Sequence, residues 1–172
     1  MNGSGKYGNM TKSANEYMRE ALRLAREAAR LEEVPVGAVI VCDGRIVGSG
    51  YNRTRTDNDP TAHAEMIAIR QAAQTLGGWR LTGCTMYVTL EPCSMCAGAI
   101  VWSRIEKLVI GAMDPKSGAC GSVFNIPQEE TLNHYTQIET GVLEEECSQM
   151  MSGFFKGLRE RNNTDKPEET ER

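Results

Sequence analysis

Cys84 to Leu90 and Lys107 to Gly111 are two apolar, β-rich stretches, separated by one short helical segment that opens at Pro92. A strand–helix–strand unit this brief favours parallel pairing through a right-handed crossover. Upstream, Val34 to Val41 reads as a buried strand and Arg45 to about Tyr51 as its return. Asp43-Gly44 joins them as a two-residue hairpin, so that pair is antiparallel. The sheet is therefore mixed, and the fold class is α/β with helices packed on its faces.

The helices bracket these strands. Ser13 and Glu16 have the spacing of a capping box, and Met18, Leu22, Ala25 and Ala29 follow at helical period to about Leu31. Pro60 and Thr61 lead into a second helix from Ala62 to Leu76, ended by Gly77-Gly78. The third runs from Pro92, which suits a first helical position, to about Ser103. Asp114 to Gly121 is a turn-rich loop, 122–135 has no clear period, and Gln137 to Glu139 is expected to add a short edge strand. The last helix spans Leu143 to Arg161, with Leu143, Cys147, Met150, Met151, Phe154 and Leu158 inward. Residues 1–12 read as a disordered leader, with Met10 an alternative start, 13–161 as one domain and 162–172 as a disordered charged tail.

With 172 residues, the chain has the size of one domain, and 40% hydrophobic with 24% charged residues is ordinary globular usage. No apolar run has the length of a membrane helix, and the N-terminus lacks the apolar stretch of a signal peptide, so the expected location is cytoplasmic. The 6 cysteines then read as reduced thiols, which makes metal binding or catalysis the live use of any close pair. A net charge of −4 excludes a globally basic nucleic-acid binder, so any such partner needs a local patch. Arg53, Arg55, Lys116 and the cations of the last helix are candidates, although Arg53 and Arg55 read more readily as solvated loop residues.

Two segments carry chemistry: Thr61-Ala62-His63-Ala64-Glu65 and Glu91-Pro92-Cys93-Ser94-Met95-Cys96. Each lies where a loop enters a helix. Cys93 and Cys96, three apart, turn both thiols the same way, and a helix N-terminus favours the metal-binding thiolate. With His63 as the third ligand, the fourth tetrahedral position stays open, as in catalytic rather than structural zinc sites. Zinc makes water there acidic at neutral pH. Glu65 is the candidate to take its proton and pass protons to a ring nitrogen and a departing ammonia. A C-x-x-C by itself is equally a redox or chance pattern, and a structural zinc completed by Cys84, Cys120 or His134 is the main alternative. The joint H-x-E and P-C-x-x-C pattern, which marks zinc nucleobase deaminases, favours the catalytic reading.

The sequence resembles the bacterial tRNA-specific adenosine deaminases from roughly Glu16 to Arg161. The resemblance rests on Glu33 to Ala38, Asp59 to Glu65, Thr89 to Ala99, Gly111 to Gly118 and Leu132-Asn133-His134. The metal segments alone would fit the wider cytidine deaminase-like superfamily; the later segments and the final helix narrow it. The resemblance implies a three-layer helix/sheet/helix sandwich on a mixed five-stranded sheet, one Zn2+ per subunit, and a homodimer that binds the tRNA anticodon stem-loop. It implies deamination of adenosine to inosine at the wobble position of an arginine tRNA. By matching position, Asn52 and the backbone around Ala64 hold the flipped base, Leu90 lines its pocket and Asp114 lies by neighbouring nucleotides. Phe155 stacks near the loop, and Lys156, Arg159 and Arg161 meet phosphate. His134 reads as structural, and Cys42, Cys84, Cys120 and Cys147 as small core residues. A deaminase of free nucleobases or nucleosides and a zinc-stabilised interaction module remain the rival functions.

Overall fold

The computed structural model describes residues 12–164. The expectations for 1–11 and for the tail from 165 onward lie outside the described residues. The order of elements is α1 (Ala14–Arg30), β1 (Gly37–Cys42), β2 (Arg45–Tyr51), α2 (Ala64–Leu76), β3 (Thr85–Leu90), α3 (Ser94–Trp102), β4 (Lys107–Ala112), a 3-10 turn (Ile126–Gln128), β5 (Gln137–Thr140) and α4 (Glu144–Thr164). α1 starts on the predicted capping box: Ser13 and Glu16 satisfy each other's backbone N–H groups, worth about 1 kcal/mol. Asp43 and Gly44 both adopt positive φ, as a hairpin turn matched to strand twist requires.

The strands form one mixed sheet in the order β2-β1-β3-β4-β5. β1 runs antiparallel to β2 and β3, while β3–β4 and β4–β5 are parallel. The strand period sorts side chains into two cores. Ala38, Ile40, Met86, Val88, Leu108 and Ile110 pack with Ala64, Ala68 and Ala72 of α2 and Ala97 and Ile100 of α3. On the opposite face, Val39 and Val41 meet Tyr17 and Leu24 of α1, and Val109 meets Met18, Ala21 and Leu22 of α1 and Cys147 of α4. The result is the expected helix/sheet/helix sandwich. Among the described residues, no helix is long and apolar enough to cross a membrane.

Close packing of α2 sets the position of the site. A Cβ on Gly50 would stand 2.3 Å from the Ala64 carbonyl oxygen, and one on Gly48 2.3 Å from that of Ala68. Glycine at both positions lets the helix lie directly on β2.

Two helix starts differ from the sequence reading. α2 and α3 begin at Ala64 and Ser94 because His63 and Cys93 are N-caps in extended backbone, with ψ of 154° and 174°. Pro92 therefore precedes the cap, and its carbonyl accepts the Ala119 N–H at 2.8 Å. α4 continues to Thr164, beyond the expected end at Arg161.

Candidate active site

The parallel crossover of β3, α3 and β4 and the close seat of α2 on β2 bring two helix N-termini together. His63 caps α2 and Cys93 caps α3, neither using its side chain to close its own helix. Their side chains are thus free for each other. His63 Nδ1 lies 3.7 Å from both Cys93 Sγ and Cys96 Sγ. Cys93 and Cys96 occupy the N-cap and third helical positions, the spacing at which capping-box partners also converge. The three ligand atoms lie within 4.8 Å of one another. Among the described residues, Cys84, Cys120 and His134 do not join the cluster. His134 Nε2 instead donates to the Ile105 carbonyl at 2.8 Å, the structural role expected for it.

Glu65, at the second position of α2, is 3% exposed. Its Oε2 is the only buried side-chain oxygen or nitrogen without a hydrogen-bond partner among the described residues. Burial lifts its carboxyl to about 7. Hydrogen bonds from the Cys96 thiol and His63 pull Cys93 down to about 4. The same contact with Cys93, and then burial, push the Cys96 thiol far above its ordinary range. His63 is raised by its hydrogen bond with Cys93. The Cys96 thiol and His63 thus favour a thiolate at Cys93, the form that binds a divalent cation. One imidazole and two thiols suit zinc, and the orphaned carboxylate oxygen beside them suits a group that acts on a ligand of the metal.

His63 and Cys93 line an open cleft of about 940 Å3, while Cys96 is fully buried beside them. Asn52, Leu90, Asp114, Phe155 and Arg159, all singled out from the sequence, line it together with His63, Glu65 and Cys93. Asn52 Oδ1 accepts the Ala64 N–H at 2.9 Å, so that backbone group is bound to Asn52 and the Ala64 side chain is buried outside the lining. Arg55 and Lys116 border the cleft. Arg53 does not, and is tied to Asp57 at 2.7 Å. Phe154 is half-buried and Phe155 exposed, and both line the cleft, so neither is given over to the core.

Sequence reasoning missed two buried carboxylates in the lining, Glu33 and Glu91. Glu33 Oε1 accepts from the Thr56 N–H at 2.6 Å and its hydroxyl at 2.8 Å, securing the loop after β2. Glu91 binds the loop after β4. Acidic residues flanking the recognised motifs were the available signal, but their partners stand far off in the chain.

Residues 11–112 match the cytidine and deoxycytidylate deaminase zinc-binding region. The chain is 52% identical over 145 residues to the tRNA-specific adenosine deaminase of Bacillus subtilis, covering 84% of this chain and 90% of that one. It is 52% identical over 150 residues to the tRNA-specific adenosine deaminase of Haemophilus influenzae, covering 87% of each. A structure solved in work on A-to-I editing by tRNA deaminases at the wobble position of transfer RNA superimposes with a TM-score of 0.76. It is 47% identical, and the match covers 78% of this chain and 98% of that one.

Proposed function

The chain belongs to the tRNA-specific adenosine deaminases, and from that membership we propose that it hydrolyses adenosine to inosine at the wobble position of the arginine tRNA anticodon. The observation that carries the proposal is the buried, unpartnered Glu65 Oε2 beside the His63, Cys93 and Cys96 cluster, with Glu65, His63 and Cys93 lining an open cleft. When bound, zinc supplies the Lewis acidity that makes water a nucleophile at neutral pH.

Glu65 takes a proton from the attacking water and returns protons to the ring nitrogen and to the leaving ammonia. Water and adenosine thus give inosine and ammonia with no oxidant or reductant. A buried carboxylate with one oxygen left unpartnered suits both halves of that shuttle. Asn52 has Oδ1 fixed by Ala64, which orients its amide donor toward the base edge. Leu90 packs against the flipped base, and Phe155 and Arg159 engage the anticodon loop and its phosphates from α4. An anticodon loop is single-stranded, so extruding one base is cheap.

The chain acts as a homodimer in the cytoplasm. Supporting the first part, Trp102 is 70% and Leu132 42% exposed, and both border a second, mainly apolar cleft on α3.

Incubating zinc-loaded protein with free bases, nucleosides and an anticodon stem-loop tests the reading. Inosine formed in the stem-loop supports it. Turnover of free bases alone would leave a deaminase without the tRNA assignment, and no turnover would favour an interaction module.

A further inference from the structure

We propose that Glu91 is a positioning residue that locks the loop from Asp114 to Ser122 into the wall of the substrate cleft. This inference rests on the deaminase reading of the site. Glu91 opens the connection from β3 to the Cys93 cap and is 3% exposed. Its Oε1 accepts the N–H groups of Cys120 at 3.0 Å and Ser122 at 2.9 Å. Its Oε2 accepts the Asp114 N–H at 2.8 Å and the Ser122 hydroxyl. Four donors from one loop converge on a single carboxylate, which as an anion offers acceptors only.

The loop is shaped for this contact. A Cβ on Gly118 would stand 2.2 Å from both Glu91 Cδ and Oε2, so only glycine lets the loop close over the carboxylate. Gly118 also forms a bridge with Cys93, and Ala119 donates to the Pro92 carbonyl at 2.8 Å. The same loop presents Asp114, Pro115, Lys116 and Ser117 to the cleft. Asp114 in turn accepts the N–H groups of Lys116 at 3.0 Å and Ser117 at 3.3 Å. Glu91 therefore fixes Asp114, and Asp114 fixes the residues that meet substrate, while Glu91 stays outside the zinc cluster.

Glu91→Gln separates this role from a general one. The isosteric amide keeps an acceptor for Cys120 and Ser122 but sets a donor against the Asp114 N–H. Wild type, Glu91→Gln and Ser122→Ala are compared for zinc content, kcat and KM on the anticodon stem-loop, and amide exchange across 113–122. Glu91→Gln is expected to hold zinc, to exchange faster at Asp114 and to raise KM by about tenfold, the worth of one lost hydrogen bond, with kcat little changed; Ser122→Ala follows weakly in the same direction. A loss confined to kcat with KM unchanged would mean a smaller folded fraction and would overturn the proposal. Unchanged KM and exchange would overturn it equally. No turnover by the wild type would instead overturn the deaminase reading, and this inference with it.

Discussion

His63 Nδ1 lies 3.7 Å from Cys96 Sγ, although the two residues stand 33 positions apart. The contact exists because α2 and α3 follow β2 and β3, which both run antiparallel to β1 and so finish at the same end of the sheet. Either the thiol or the imidazole alone would be an ordinary buried group. Together with Cys93 they make a chelate that only the folded chain contains.

Removing one ligand should therefore empty the site. Cys93→Ala and His63→Ala are expected to lose zinc, measured by elemental analysis, and more than about a hundredfold in turnover, beyond what loss of a ligand's own supporting partner costs. Full zinc content in Cys93→Ala would count against the cluster as the metal centre.

Glu65 imposes a pH signature on the zinc-stripped protein. Its carboxyl titrates near 7 in the fold against an ordinary 4.5, through burial. Between those values the native state holds a proton that the unfolded chain has released, so stability is fully present below the lower value and falls as pH rises through the upper one. Zinc-free Glu65→Gln lacks that loss. Relative to wild type, it should gain on the order of 3 kcal/mol between pH 4 and 8, read from denaturant unfolding. A difference that stays constant with pH would contradict the burial argument.

Asn52 does two jobs that substitution can separate. Asn52→Ala removes the acceptor for Ala64 N–H and should cost about 1 kcal/mol of stability as well as activity. Asn52→Asp keeps that acceptor but replaces the amide donor, so it should unfold near wild type and still lose kcat/KM. Equal activity in Asn52→Asp would remove Asn52 from base recognition.

The α4 residues should matter only for a macromolecular substrate. Phe155→Ala is expected to raise KM for an anticodon stem-loop by about tenfold, the worth of one base–aromatic stack, and leave any turnover of free adenosine unchanged. Arg159→Ala should weaken stem-loop binding and lower its salt slope by about one. Equal losses on the stem-loop and the nucleoside would place these side chains in the fold rather than at the interface.

Much of this was legible because the signals are local. A capping box at Ser13 and Glu16, the turn at Asp43-Gly44 and the paired cysteines at 93 and 96 each state their geometry within four residues. The helix starts were misplaced by two residues because Pro92 and Ala62 suit a first helical turn, whereas ligation favours His63 and Cys93 as extended caps. Glu33 and Glu91 were missed for a different reason. Each binds a loop 23 or more positions away, and a buried carboxylate looks the same in sequence as a solvated one. The neighbour that occupies the Ala64 N–H was likewise set by tertiary contact, not by motif.

The central claim is that Glu65 moves protons for a reaction centred on the metal held by His63, Cys93 and Cys96. The direct measurement pairs zinc content with inosine content of an anticodon stem-loop for wild type and Glu65→Gln. The account predicts equal zinc in both, with inosine formed by wild type and slowed by about 10²- to 10⁴-fold in the variant. Undiminished inosine formation by zinc-loaded Glu65→Gln would contradict it.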